Sequence, residues 1–424
     1  MDLNDGKIGC QLCGARVHIM QAHLKDAHPD VSLATYQANF PGAEILSDKA
    51  RVAMAKVEEQ KKAGASAAAA AGSVEEYAGG FTASKVALHE VFELGDARAA
   101  RGHTGKPIPV NQVVAPDFLS QFVPAKDDNY IFPIDLLKEV MLAMEMNLPV
   151  YLWGHAGTGK TTIAEQVCAR TGRPILRVQH TRNTEESHVV GQWTVRDGHT
   201  VFELGPLAYC MKHGVTYLAD EYDFAMPAVT ALYQPVLEGK SLVIKEADHE
   251  NRVITPHPMF RFVATGNTNG TGDETGLYQG TLMQNAANYE RFAIVEEVKY
   301  MDPETEVGVI VGQGGVPKDE AQKLVQFGRL VREGFANGKI GLPVSPRALI
   351  NAAKTGRRLA SFERGLMLAY VNRLARADQE VAREIMGRIK FCWTRACCLA
   401  ATGRPLCAWL NTTAGVAPTL LTAR

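Results

Sequence analysis

The stretch VYLWGHAGTGKTT sets three closely spaced glycines before a lysine and two threonines. Its spacing is Gly154-x4-Gly159-Lys160-Thr161, which suits phosphate chemistry. Glycines allow backbone N–H groups to turn toward an anion. A lysine can reach β- and γ-phosphate oxygens, and a hydroxyl can ligate Mg²⁺. Gly154, Gly157, Thr158, Gly159, Lys160, Thr161 and Thr162 are therefore candidate ligands of ATP–Mg²⁺. The context agrees, with an apolar run before the loop (150–153) and a helix-forming run after it (162–170).

A second apolar run, VTYLAD, ends on Asp220 and Glu221. Alone, such a pair is usually a solvated strand end. Downstream of a phosphate loop it reads as a Mg²⁺ carboxylate, Asp220, and a carboxylate that orients the attacking water, Glu221. A third run, FRFVAT, leads into Gly266-Asn267-Thr268, and Asn267 is the candidate sensor of the γ-phosphate. Arg291 lies in NYERF, and Arg347 follows Pro346 in VSPRAL, where proline suits the first turn of a helix. Phosphoryl transfer needs positive charge at the transferring oxygens. A lone surface arginine is more often simply solvated, so these two draw their weight from their order relative to the other motifs.

The amino-terminal Cys10-x2-Cys13-x9-His23-x4-His28 has the composition and spacing of a Zn²⁺ site. His23 and His28 are expected about a turn apart on one helix face, and His18 is a spare expected to be exposed. So short a unit builds little core, and metal would supply its folding energy. Residues 1–50 hold four Lys/Arg against six Asp/Glu. A finger so poor in cations neutralises few phosphates, which favours protein docking over nucleic-acid reading. The cationic region is instead 351–424, with twelve Lys/Arg against four Asp/Glu. It is either a solvated helical face or a surface for nucleic acid or an acidic partner.

The elements that must hold these residues follow from hydropathy. Apolar runs at 150–153, 175–178, 215–219, 260–264 and 292–295 alternate with helical sequence. That predicts an α/β fold, a parallel sheet flanked by helices. The expected organisation is a zinc-finger unit (1–50), an Ala-rich linker (51–82), a nucleotide-binding α/β domain (83–302), and a helical lid with C-terminal helices (303–424). Residues 83–131 are expected to lie against the α/β domain, and 135–146 to form a helix. The 424 residues, 46% hydrophobic and 21% charged, suit a globular chain, and a net charge of −1 excludes polyanion binding by bulk electrostatics. Eight scattered cysteines do not form a disulfide framework. No apolar run is long enough to cross a membrane. A cytoplasmic location is expected.

The motifs together resemble the MoxR branch of AAA+ ATPases, and within it the CobS-type ATPase subunit of aerobic cobaltochelatase. The resemblance rests on GHAGTGKTT, LADEYDFAMPAV, VITPHPMFRFVATGNTNGTGDETGLYQGT, NYERF and VSPRAL. GDETGLYQGT is the most specific of them. The likeness spans roughly residues 84–355 and fades in the lid. It implies Lys160 and Thr161 as Walker A ligands, Asp220 and Glu221 as the Walker B pair, and Asn267 as first sensor. It implies Arg291 as a finger supplied to the neighbouring subunit and Arg347 as second sensor. It also implies a hexameric ring and a partner with a von Willebrand A-like (CobT-like) domain. Residues 190–204 fit the family's inserted hairpin, with Arg196-Asp197-Gly198-His199 as its turn. In a ring that hairpin would face the pore or substrate side. The finger, with Tyr36-x3-Phe40-Pro41 after it, resembles the Ros-type finger of bacterial regulators and lies outside the cobaltochelatase-subunit pattern. Three functions follow: a ring ATPase remodelling a protein partner, which is favoured; a metal-chelatase subunit; and a nucleic-acid motor recruited by the finger.

Overall fold

The computed structural model describes residues 7–51, 74–95, 98–389 and 391. Most of the Ala-rich linker, and the carboxy-terminal stretch with Cys392, Cys397, Cys398 and Cys407, lie outside the described residues. The chain divides into two units, one comprising 1–74 with 103–106, the other 75–102 with 107–424.

In the first unit, β1 (Ile8–Gly9) pairs antiparallel with β2 (Arg16–Val17). Two helices follow, α1 (Met20–Ala27) and α2 (Leu33–Asn39). Ser32 caps α2 by accepting a hydrogen bond from Thr35 N. Ile8, Cys10, Met20, Leu24 and Tyr36 form a core too small to be strongly stabilising by itself.

The second unit opens earlier than the sequence pattern indicates. Strands β3 (Val74–Tyr77), β4 (Phe81–Ala87) and β5 (Pro109–Val114) form an antiparallel sheet, so 74–82 is structured where linker was expected. β3 is VEEY and largely exposed, so it lacks the apolar alternation that marks a strand. Gly79 and Gly80, at φ +71° and +85°, form the turn between β3 and β4. Phe81, Ala83, Val113 and Leu119 join one core of the α/β domain; Leu88, Val91, Phe92 and Val110 join another. Much of the 83–131 segment thus packs on that domain, while 103–106 group with the first unit.

Next come α3 (Ile134–Met146), β6 (Val150–Trp153), α4 (Lys160–Thr171), β7 (Ile175–Gln179) and α5 (Glu186–Val190). A hairpin of β8 (Gly191–Arg196) and β9 (His199–Leu204) leads into α6 (Pro206–His213) and β10 (Thr216–Asp220). Asp197 and Gly198, at φ 51° and 79°, make the expected two-residue turn. A small pair, β11 (Leu242–Val243) and β12 (Val253–Ile254), precedes β13 (Arg261–Gly266) and β14 (Ile294–Glu297).

The main sheet has the order β14-β6-β13-β10-β7, and every pairing in it is parallel. Its alternate residues feed different cores: Tyr151, Tyr217 and Phe262 on one face, Val150, Leu152, Leu218 and Val263 on the other. Burial on both faces explains why β10 and β13 read as continuous apolar runs. The chain leaves β6 for the distant β7 and returns through β10 and β13, which opens a crevice at the strands' carboxyl ends. A helical lid follows with its own core: α7 (Pro303–Gly314), α8 (Lys318–Ala336), α9 (Pro346–Leu359), α10 (Phe362–Ala369) and α11 (Arg376–Arg388).

Candidate active site and metal centre

The phosphate loop is pinned on two sides. Gly154 has φ 142°, and a Cβ there would lie 2.6 Å from Val298 O, just after β14. Gly157 has φ 79°, and a Cβ there would meet Ser345 Cβ at 2.7 Å. Both positions demand glycine for conformation and for close approach. Thr158 Oγ1 donates to His155 O at 2.9 Å, Gly159 caps α4, and Thr162 is half-buried in its first turn.

Lys160 Nζ donates to Gly154 O (2.8 Å), His155 O (3.0 Å) and Asn267 Oδ1 (3.2 Å). Burial pushes its pKa down to about 8, against the opposing pull of Glu221, Asp223 and Asp220. Thr161 Oγ1 donates to Asp220 Oδ1 at 2.8 Å. Burial alone would raise the Asp220 pKa. Hydrogen bonds from Thr265, Thr161 and Arg177 overcome it and hold that carboxyl below its usual range. Glu221 follows in the left-handed region (φ 55°), its carboxylate accepting from Asn267 Nδ2. Burial first, then Asp223 and Asp220, raise the Glu221 pKa. Asn267 therefore bridges the lysine and the glutamate from the end of β13.

Two contributors were not singled out from the sequence. Asp223 is buried, and its Oδ2 accepts from Asn267 N (2.8 Å), Thr268 N (2.9 Å) and Thr268 Oγ1 (2.9 Å). It holds the turn that presents Asn267. Its signal was the second aspartate of DEYD. Arg177, on β7, donates through Nε to Asp220 Oδ2 at 2.8 Å.

The arginines divide. Arg347 is exposed in the first turn of α9, close enough to the loop to depress Lys160 further. Arg291 does not join the cluster. It precedes the amino end of β14, whereas the cluster gathers at the carboxyl ends of β6, β10 and β13. Its Nε donates to Glu238 Oε1 at 2.7 Å and its Nη1 to Ala287 O.

In the first unit, ligand atoms of Cys10, Cys13, His23 and His28 all lie within 4.8 Å of one another. Cys13 Sγ is 3.2 Å from His23 Nε2, and Cys10 Sγ is 3.9 Å from His28 Nε2. Two thiolates and two imidazoles suit Zn²⁺. The two histidines do not share a helix face. α1 ends at Ala27, and His28 leaves helical geometry at φ −139°, ψ 64°. Five residues at about 100° each would put the second ring nearly opposite the first, so the helix must end to bring it back. His18 is not exposed as expected but half-buried, because it bonds Ser47 Oγ at 2.9 Å. On the other unit, the hydroxyl of Thr161 and the carboxylate of Asp220 are hard oxygen donors that fit Mg²⁺.

Residues 149–304 match the AAA domain (dynein-related subfamily), and residues 306–391 match the CbbQ/NirQ/NorQ C-terminal domain. Over 273 residues the chain is 32% identical to the aerobic cobaltochelatase subunit CobS of a Sinorhizobium species, covering 62% of this chain and 81% of that protein. The chain belongs to the MoxR/CbbQ/CobS family of AAA+ ATPases. It is an ATP hydrolase. Other AAA+ relatives are NorQ of Paracoccus denitrificans, 27% identical over 56% of this chain and 83% of that protein, and mouse von Willebrand factor A domain-containing protein 8, 28% identical over 52% of this chain but 12% of that protein. The CbbQ/NirQ/NorQ match covers the lid, where likeness by motif fades. Among the described residues no helix is long and apolar enough to cross a membrane.

Proposed function

We propose that this AAA+ ATPase assembles as a ring, hexameric by its resemblance, and couples ATP–Mg²⁺ hydrolysis to the remodelling of a protein partner. The observation that carries this reading is the gathering at three strand ends of two hydrogen-bonded groups, Lys160–Asn267–Glu221 and Thr161–Asp220, joined through Thr265. In it Lys160 takes the β/γ-phosphate charge, Thr161 and Asp220 hold Mg²⁺, Glu221 orients the attacking water, and Asn267 reports the γ-phosphate. Arg347 answers from the lid, and Arg291 serves the neighbouring subunit. The test is a pull-down with Glu221→Gln protein, which should hold the ATP-bound ring on its client. Lys160→Ala protein should bind no ATP by calorimetry and recover no client. Equal recovery by both variants would overturn remodelling driven by ATP.

A second reading is favoured by the identity with CobS: the ATPase subunit of a cobalt or magnesium chelatase-type complex, with a von Willebrand A-domain partner. Recovery of a large tetrapyrrole-binding protein in the same pull-down would select it. In either case the finger is a Zn²⁺-held docking unit. The purified chain should carry one zinc, and the Cys10→Ser/Cys13→Ser variant none. Equal zinc in the two proteins by metal analysis would remove the site.

A further inference from the structure

GDETGLYQGT has no role in the cluster described so far, yet its tyrosine reaches the phosphate loop. The Tyr278 hydroxyl lies 3.0 Å from Ala156 N and 3.0 Å from His155 Nδ1. A hydroxyl has one proton to give and two lone pairs. It accepts from the amide, which can only donate, and bonds the imidazole nitrogen as donor or acceptor according to the tautomer. Burial, and then the Lys160 charge, lower the His155 pKa and favour its neutral form.

We propose that Tyr278 is a positioning residue for nucleotide binding, its hydroxyl holding the His155–Ala156 limb of the phosphate loop in the shape that receives a triphosphate. This inference rests on the reading of that loop as the nucleotide site. His155 O accepts from both Lys160 Nζ (3.0 Å) and Thr158 Oγ1 (2.9 Å), so the limb's orientation sets where the lysine sits. The segment bearing Tyr278 is itself held. Asp273 Oδ2 accepts from Tyr278 N at 2.7 Å, and Arg182 Nε donates to Gly280 O at 3.2 Å. Leu282 N donates to Asp223 O at 2.7 Å, and the carboxylate of Asp223 holds Asn267. Tyr278 thus links the phosphate loop, through Leu282 and Asp223, to the two turns that carry Glu221 and Asn267. Among the described residues its hydroxyl bonds His155 and Ala156, not Glu221 or Asn267.

The experiment compares wild type, Tyr278→Phe, Asp273→Asn and Lys160→Ala for binding of a methylanthraniloyl-ATP probe, for kcat and KM, and for melting temperature. Tyr278→Phe keeps the ring and removes two hydrogen bonds. Affinity should fall roughly tenfold, with faster probe release, while kcat at saturation stays within about threefold. Asp273→Asn loosens the segment without touching a core side chain, and should shift affinity in the same direction by less. Wild-type affinity in Tyr278→Phe overturns the proposal. So does a loss of kcat with affinity retained, or a fall in affinity that only tracks a large drop in melting temperature. Normal binding by Lys160→Ala would instead overturn the nucleotide site itself.

Discussion

Glu221→Gln protein should bind ATP as tightly as wild type and turn it over about 10²–10⁴ times more slowly, the range for a lost general base. The geometry makes this a clean substitution. Glu221 accepts a hydrogen bond from Asn267 Nδ2, and a glutamine carbonyl can accept the same bond. The left-handed turn at φ 55° is set by the backbone and not by the carboxylate. What disappears is the negative charge and its basicity. Burial, with Asp223 and Asp220 beside it, makes this carboxyl a stronger base than a free glutamate. Lys160, Thr161 and Asp220 keep their own contacts, so phosphate and Mg²⁺ affinity should survive. Phosphate release at saturating ATP and calorimetric binding check both halves. Wild-type turnover would remove Glu221 from the mechanism, and lost binding would make it a structural residue of the pocket.

Legibility followed patterning. Val150–Trp153 and Thr216–Asp220 could be placed because each is an apolar run ending at a residue with evident chemistry, Gly154 or the Asp220-Glu221 pair. α3 could be placed because its apolar residues recur at helical spacing. β3 could not, since VEEY lies largely exposed at the sheet's edge and shows no alternation. The last strand was read as 292–295 but runs Ile294–Glu297. Phe292 is apolar because it packs against Tyr151 from the turn before the strand. In the candidate site, residues whose types and spacing suggest phosphate chemistry were visible. Residues that act through others were not. Arg177 reads as an ordinary exposed strand residue until β7 is known to lie beside β10. Tyr278 is 123 residues from His155 in sequence, and nothing local announces the contact. His28 was named as a candidate ligand and lies with Cys10, Cys13 and His23, but the end of its helix was not foreseen.

Arg291→Ala protein should retain nucleotide binding and lose hydrolysis by about 10³–10⁵-fold, the worth of an arginine finger. The cluster of Lys160, Asp220 and Asn267 sits at the carboxyl ends of the strands, whereas Arg291 stands before the amino end of β14, the strand at the sheet's edge. A side chain there does not reach the phosphate loop of its own chain. It instead pairs with the exposed Glu238, which also binds Lys240 at 2.5 Å. In a ring this edge would face the next subunit, and the γ-phosphate there would compete with Glu238 for the guanidinium. An isolated chain should then be a poor ATPase, and specific activity should rise with protein concentration as rings form. Mixing Arg291→Ala with Lys160→Ala protein should restore part of the activity, because an intact site arises wherever a Lys160-bearing subunit meets an Arg291-bearing neighbour. Mixed rings that remain inactive would mean that Arg291 acts in cis or that hydrolysis needs several intact sites at once. Activity that does not change with concentration, in a chain shown to be monomeric, would exclude action on a neighbour altogether.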